Sequence, residues 1–336
     1  MLPNCCDFFC YAAVVNILLV LLNYLLEKIP LGNLQDRAVL ITGCDRGFGY
    51  LLALKLAKNG IPVFAGCLTE KGKDRLKKES SELPGRLITI LLDVTSQESV
   101  DKAVAAVEKR LDGRGLWCLV NNAGVMPPTG PDEWLNVVDY EAAVAVNTYG
   151  VIRVTHAFRP LIKKAKGRVI IAASAAGRIP FVFAGPYVVS KFAVDAYADV
   201  LRLEMAPWGV SVHILEPGYF ATDILNVGCI QRGLDMLWGR LDDKVKLEWG
   251  EHLFEWMRSN VKVLTVDKAS RRLELVVDDY YHALTARFPR RRYHPGYDAK
   301  FVFIPLSMMP TCLMDHLIQL LLVKPSRMPV PAALQS

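Results

Sequence analysis

The chain predicts an α/β fold in which one doubly wound parallel sheet is covered by helices on both faces. Three observations carry that expectation. Short, continuously apolar runs alternate with longer stretches of helical character. The turn after the first of these runs is rich in glycine. The apolar excess, 52% hydrophobic residues over 336 positions, is concentrated at the two ends and not in the alternating part. Continuous apolar runs, unlike alternating ones, mark strands buried on both sides, as in a parallel sheet.

Phe8–Leu26 comes first, with 19 residues that carry no charge and are interrupted only by Asn16 and Asn23. A span of about 20 apolar residues crosses a bilayer, so residues 1–28 read as a retained membrane anchor. A cleaved secretory signal would want basic residues before the run and a small-x-small site after Leu26, and neither is present. Residues 28–36, with Pro30 and Gly32, read as a linker into a single domain over residues 29–300. Strands are expected at 38–42, 62–66, 87–92, 116–120, 168–172 and 210–215, and helices at 47–58, 70–79, 96–111, 140–164 and 187–206. Ser96 supplies capping chemistry for the third of these helices. Residues 219–263 break the alternation with Trp238, Trp249, Phe254 and Trp256. This insert lies beyond the C-terminal end of the sixth strand, where ligands bind in such sheets, and is expected to form a substrate lid. Residues 301–336 are an apolar extension. Its Phe301–Val323 run is broken by Pro305, Pro310, Asp315 and His316, so it reads as a cap on the core or a membrane-associating surface segment, not as a clean span.

Bulk composition excludes several function classes. The net charge of +6 is modest, and its densest part, Arg287–Arg292, accompanies no nucleic-acid recognition motif. Membrane lipid with anionic headgroups is the better partner for that cluster; nucleic acid is not expected. Mean hydropathy is +0.23, high for a soluble enzyme. The eight cysteines show no metal-ligand spacing and no disulfide framework, so no metal is expected. Cys44, Cys67 and Cys118 fall on or beside strands, as small core hydrophobes do. No Asn-x-Ser/Thr acceptor occurs, which also favours a reducing compartment.

The chemistry is concentrated at two places. Tyr187 and Lys191 are four residues apart, so a helix puts them on one face. A phenol of ordinary pKa about 10 is a poor acid or base at neutral pH. A neighbouring ammonium favours the phenolate and is expected to bring it toward the working range. The Ser174 hydroxyl then holds the oxygen of an alcohol or carbonyl substrate while Tyr187 exchanges its proton. Upstream, Gly43-Cys-Asp45-Arg46-Gly47-Phe48-Gly49 joins the first strand to the first helix. Its glycines permit a tight turn and close approach of backbone to a pyrophosphate, and the helix N-terminus offers unpaired N–H groups. Asp93, with Val94 after it, ends the third strand where an adenine edge would lie. Asn121-Asn-Ala123-Gly124 follows the fourth, with small residues that let a ribose pass.

Together these segments resemble the short-chain dehydrogenase/reductase superfamily over about residues 36–297. The resemblance implies a Rossmann-type domain, a nicotinamide cofactor and a catalytic tetrad of Asn147, Ser174, Tyr187 and Lys191. It implies that Asn147 fixes a water in a proton relay from Lys191, that Lys191 also binds the nicotinamide ribose, and that Pro217, Gly218 and Thr222 lie beside the nicotinamide. Segments 64–72, 115–124, 216–220, 292–300 and 305–311 are more specifically similar to the retinol dehydrogenase and 17β-hydroxysteroid dehydrogenase branch, closest to its 5/7/16 type. That branch is typically microsomal, which implies an endoplasmic reticulum membrane protein, and a homodimer is the assembly to expect. Two departures stand out. Ala173 replaces the first of a paired serine. Cys67 ends the second strand where NAD-preferring members often carry an aspartate for the ribose; Glu70 disfavours a 2′-phosphate and Lys71 favours one, and NAD is preferred over NADP.

The substrate expected is a hydrophobic secondary or allylic alcohol, a retinoid ahead of a 17β- or 3α-hydroxysteroid. Two other functions compete. A non-catalytic NAD-binding membrane scaffold would not need Tyr187 and Lys191. A 3-hydroxy-acid dehydrogenase would need a cationic clamp in the lid, from Arg232, Arg240 or Arg258. Lys28 and Arg37 follow the Phe8–Leu26 run and no basic residue precedes it, so the catalytic domain is expected on the cytosolic side.

Overall fold

The computed structural model describes residues 5–265, 267–320 and 328–334, without the side chains of residues 5–10, 12 and 264. The strands are β1 (Val39–Thr42), β2 (Val63–Cys67), β3 (Leu87–Leu91), β4 (Cys118–Asn121), β5 (Arg168–Ala172), β6 (Ser211–Leu215) and β7 (Arg292–Tyr293). They form one parallel sheet in the order β3-β2-β1-β4-β5-β6-β7. The chain runs outward from β1 to β3, then crosses back to start again at β4. That reversal opens a crevice above the C-terminal ends of β1 and β4.

The helices are α1 (Cys5–Leu26), α2 (Gly47–Lys58), α3 (Glu70–Glu79), α4 (Gln97–Leu111), α5 (Val137–Val144), α6 (Val151–Ala165), α7 (Gly185–Met205), α8 (Val227–Gly239), α9 (Asp243–Trp249), α10 (Glu251–Leu264), α11 (Glu274–Thr285), α12 (Ile304–Ser307) and α13 (Thr311–Ile318). One sheet face is covered by α4, α6 and α7 through Val100, Val107, Phe158, Val194 and Leu201. The other is covered by α2, α3 and α11 through Leu52, Leu56, Leu76, Val276 and Tyr280. Each fully buried aliphatic side chain of this kind contributes about 1.5–3 kcal/mol. Ser96 caps α4 as expected, its hydroxyl accepting the Ser99 N–H at 3.2 Å. Cys44, Cys67 and Cys118 are free and buried.

Three differences from the sequence expectation matter for the site. The helix expected over 140–164 begins earlier, at Val137, where Asn136 and Asp139 form a reciprocal capping box. It is also interrupted by a π-helical turn, Ala145–Gly150, that carries Asn147. A seventh strand, two residues long, was not foreseen; it adds beside β6 through Ile214–Arg292 and Leu215–Tyr293. The linker is tied down: Leu31 N–H donates to Thr285 O at 2.7 Å, Arg287 N–H to Ile29 O at 2.8 Å, and Arg290 Nε to Glu27 at 2.7 Å.

The insert forms α8, α9 and α10, which close around Trp134 with Leu234, Leu237, Leu253 and Phe254. The 301–320 part of the apolar extension runs from a π-helical turn, Ala299–Phe303, straight into α12, which holds Pro305 in its first turn, and is broken only before α13, at Pro310. Phe303 and Leu306 pack on Ala175 and Ile179, while Phe301 and Met308 stay exposed. Residues 321–323 of the Phe301–Val323 run lie outside the described residues. Helix α1 is continuous, and Leu18, Val20 and Leu25 along it are 59%, 67% and 62% exposed. Among the described residues no helix is long and apolar enough to cross a membrane.

Candidate active site

The β1–α2 turn shows why its glycines are there. Gly43 has φ 71° and its Cα sits against Ala123, where a Cβ would come within 2.8 Å. Gly49 faces Asn122, and a Cβ there would lie 2.4 Å from Nδ2 and 2.6 Å from Gly43 O. Gly47, at φ 65°, borders open space. Asn122 locks the two loops together: its Nδ2 donates to Thr42 O at 2.9 Å, and its N–H donates to Thr42 Oγ1 at 3.0 Å. Arg46, at the N-cap of α2, makes no side-chain cap bond, so the first-turn amides of α2 keep no side-chain acceptor. Open backbone at Gly47 beside an uncapped helix start fits a dinucleotide phosphate.

Other residues expected at the cofactor are placed differently. The Asp45 carboxylate accepts from Leu68 N–H at 2.7 Å, Thr69 N–H at 3.0 Å and Thr69 Oγ1 at 2.6 Å, so it braces the glycine turn against the β2–α3 turn. Cys67 is fully buried, and burial pushes its thiol up to about 12, with the Asp45 charge adding to the effect. It presents nothing to a ribose. Asp93 closes its own turn, accepting from Thr95 N–H at 2.8 Å and Thr95 Oγ1 at 2.7 Å. Val94 packs under Gly150. Asn121 is buried and donates to Thr155 Oγ1 at 2.9 Å on the α6 side. Successive strand residues face opposite ways, so Asn122, and not Asn121, reaches the crevice.

A cavity of about 140 Å³ opens at the C-terminal ends of β4 and β5. Phe48, Gly124, Ser174, Tyr187, Lys191, Pro217, Gly218 and Thr222, all among the expected site residues, line it together. The reading missed Asn122, Phe181, Tyr219, Phe220 and Tyr280, which line it too. Tyr219 and Phe220 stand inside the 216–220 segment already singled out; Phe181 and Tyr280 carry no local signal. Phe181, Tyr219 and Phe303 meet edge to face at 5.1–5.9 Å, forming an aromatic wall. Phe48 meets Phe220 edge to face at 5.7 Å across the crevice. Lys191 is the cavity's only cationic side chain among the described residues. The lid arginines are engaged elsewhere: Arg240 pairs with Asp139, Arg258 with Asp235, and Arg232 donates to Cys229 Sγ.

Ser174 follows β5, with its hydroxyl accepting Ala176 N–H at 3.1 Å and lying 3.5 Å from Pro217 O. Tyr187 and Lys191 rise from the first turns of α7. The Asn147 carboxamide holds both backbone groups of Val125, at 2.8 Å and 3.0 Å, and donates to Ser190 Oγ at 3.0 Å. A Cβ on Gly124 would lie 3.3 Å from Asn147 Oδ1 and 3.8 Å from Lys191 Nζ, so a side chain here would crowd both groups. The π turn aims Asn147 inward, a common use of such turns at functional sites.

The charge state differs from the expectation. Burial raises the Tyr187 hydroxyl above its usual value, with a hydrogen bond from Ser174 working the other way. Burial also depresses Lys191 to about 8. Its Nζ donates to Ala172 O at 2.9 Å and stands 5.6 Å from the Tyr187 ring centre. In this closed site desolvation dominates both groups. The arrangement nonetheless brings a phenol hydroxyl, a second hydroxyl and a titratable amine together in a mostly apolar cavity.

The short chain dehydrogenase family model matches residues 37–228. The chain is 44% identical to retinol dehydrogenase 7 of Rattus norvegicus over 307 residues, 91% of this chain and 95% of that one. It is 42% identical to 17-beta-hydroxysteroid dehydrogenase type 6 of Homo sapiens, over 94% and 98% of the two chains. A solved short-chain dehydrogenase from Streptomyces avermitilis has the same fold, with a TM-score of 0.64 and 23% identity, over 87% of this chain and 97% of that one.

Proposed function

The chain belongs to the short-chain dehydrogenase family and is an NAD(P)-dependent alcohol dehydrogenase of that type, and from this premise we propose that it interconverts a membrane-soluble alcohol and its carbonyl, a retinol before a hydroxysteroid. The observation that carries the reading is the cavity itself: Ser174, Tyr187 and Lys191 stand in a mostly apolar, aromatic-walled space. When bound, the nicotinamide supplies or accepts the hydride. In oxidation, Ser174 holds the alcohol oxygen, and Tyr187 Oη takes its proton. Lys191 passes that proton on to a water that Asn147, on the other side of Gly124, would hold in place. In reduction the same groups return a proton to the carbonyl oxygen. A 3-hydroxy acid is disfavoured because Arg232, Arg240 and Arg258 do not line the cavity.

NAD is the preferred nucleotide, bound by the Gly43–Gly49 turn, Asn122 to Gly124, and Pro217 to Thr222. Glu70, in the first turn of α3, opposes a 2′-phosphate, although its ion pair with Lys73 offsets part of that charge. Residues 1–28 anchor the enzyme in the endoplasmic reticulum membrane with the catalytic domain cytosolic. The exposed apolar surface of α1 supports the anchor. Protease treatment of sealed microsomes tests the orientation: protection of the catalytic domain without detergent overturns it.

The deciding assay is NADH fluorescence on membranes containing the protein, with a panel of retinols, androgens, estradiol and 3-hydroxybutyrate. Turnover of retinols above steroids is expected. Turnover of steroids alone favours the hydroxysteroid reading, supported by the human relative. NADH binding without turnover of any panel member favours a non-catalytic nucleotide-binding protein.

A further inference from the structure

Four residues recur every fourth position along α7: Tyr187, Lys191, Asp195 and Asp199. They therefore share one stripe of the helix. The first two face the cavity. Arg292 grips both of the last two, and Arg178 and Arg202 add contacts of their own to Asp195 at 3.8 Å and to Asp199 at 3.1 Å. Arg292, on β7, reaches Asp195 at 2.8 Å, Asp199 at 2.5 Å and Glu216 at 2.7 Å.

Glu216 is fully buried at the end of β6. It also meets His294 Nε2 at 2.8 Å and Arg178 at 3.7 Å, and its own N–H donates to Tyr293 O at 2.8 Å. The next residue, Pro217, supports the Ser174 loop: its carbonyl accepts Ala175 N–H at 2.9 Å and lies 3.5 Å from the Ser174 hydroxyl. Downstream, Asp298 accepts Tyr219 N–H at 2.6 Å, and a Cβ on Gly218 would lie 2.3 Å from that carboxylate. Between the two halves, Gly177 lets the turn after Ser174 press on α7; a Cβ there would come within 2.8 Å of Lys191 O and 3.5 Å of Asp195 Cβ.

We propose that Arg292 is a positioning residue for the reaction, a three-carboxylate clamp that fixes the Tyr187–Lys191 stripe of α7 against the Glu216–Pro217 segment behind Ser174. This rests on the assignment of Tyr187 and Ser174 above. The planar fork of an arginine can engage three acceptors in fixed directions, which a lysine's point charge cannot. Releasing the clamp lets α7 shift or turn relative to Ser174. A displacement of about 1 Å between reacting groups can lower turnover about a hundredfold, while the cofactor turn, on the opposite side of the crevice, is untouched.

The test is Arg292→Lys in the full chain, assayed in membranes and normalised to NADH-binding sites counted by fluorescence titration. Turnover per NADH-binding site should fall at least about tenfold, a larger change than any in NADH affinity or alcohol KM. A purely structural role would reduce the number of binding sites but leave turnover per site unchanged, and that result overturns the proposal. Asp199→Asn serves if Arg292→Lys does not accumulate. It loosens one grip at a carboxylate that is 40% exposed, and so leaves no deeply buried charge alone. A smaller fall of the same kind, in turnover per site, is expected, and none overturns the proposal. If the wild-type membranes turn over no alcohol of the panel, the functional reading fails before the clamp is tested.

Discussion

The cofactor half of the crevice and the substrate half are built on different principles. Around the β1–α2 turn, backbone meets backbone. Gly43 lies on Ala123, Gly49 on Asn122, and the Asp45 and Asn122 side chains bond main-chain groups. Around the lid, side chain meets side chain. Trp134 stands 5.1 Å from Trp238, 5.7 Å from Trp249 and 6.4 Å from Phe254, and Trp238 stacks on Phe254 at 4.8 Å. Backbone contacts tolerate one residue type at each position, whereas an apolar cluster tolerates many that conserve volume. The first half should therefore be brittle toward single substitutions and the second forgiving, with the catalytic groups lying between them.

The sharpest way to separate the chemistry from both halves is Tyr187→Phe. The ring stays and the exchangeable proton goes, so turnover should drop at least about a hundredfold while NADH still binds. Near-normal turnover would remove Tyr187 from its role. The pH profile sharpens the same point. Burial raises Tyr187 and lowers Lys191 to about 8, so both carry protons below that pH. Through pH 8 Lys191 loses its proton while Tyr187 keeps its own: neutral Lys191 can take up the proton that the alcohol releases through Tyr187, so oxidation should climb. Carbonyl reduction draws its proton from Tyr187 and needs charged Lys191 to resupply it, so its rate should decline over the same range. Stopped assays in both directions check the opposite slopes; parallel slopes would contradict the assignment.

Gly49→Ala tests the brittle half. The added methyl meets Asn122 Nδ2 and Gly43 O well inside contact distance. Overpacking of about 1–3 kcal/mol, if it falls on the cofactor-bound state, converts to about a fivefold to hundredfold loss of NADH affinity, read by fluorescence titration. Unchanged affinity would mean that the turn relaxes freely and the contrast between the halves is false. Trp134→Ala goes beyond what the forgiving half can absorb, because it removes volume instead of conserving it. The side chain is 1% exposed, and truncating a buried tryptophan costs about 3–5 kcal/mol. The lid should loosen, raising alcohol KM severalfold, while NADH affinity stays within about twofold. A larger change in NADH affinity than in KM would show that the lid serves the cofactor instead.

The same contrast explains what could be read from the sequence. Strands β1 to β6 were legible because each is a short, mostly apolar run, and α2 because glycine marks its start. Ser174, Tyr187 and Lys191 were legible from spacing. The remainder depends on contacts distant in sequence. β7 is two residues long, with no periodicity to detect, yet its Arg292 joins three carboxylates. Asn121 and Asn122 differ only in which way the end of β4 turns them. The π turn at Asn147 leaves no trace in composition, and Phe181 and Tyr280 reach the cavity only through tertiary packing. The expected lowering of the phenol assumed a solvated pair, whereas burial reverses its direction.

The smallest effect should come from the N-terminus, and where the cut is made decides its size. Glu27 belongs to the folded domain as much as to the helix before it: its carbonyl accepts His282 Nε2–H at 2.9 Å, and its carboxylate pairs with Arg290 at 2.7 Å. These contacts lie at the N-terminal edge of the sheet, opposite the crevice. Deleting residues 1–26 keeps them and should leave NADH affinity and turnover on a detergent-dispersed substrate within about twofold, because nothing near Tyr187 changes. Deleting residues 1–28 removes Glu27 and should add a modest stability loss of about 0–1 kcal/mol for a partly exposed ion pair, visible as a lower Tm with turnover intact. Both truncations should release part of the protein from the membrane pellet. If all of it stays bound after either cut, the exposed surface around Phe301 and Met308 holds the membrane on its own. If the shorter cut already abolishes NADH binding in a folded product, α1 is part of the domain and not an addition to it.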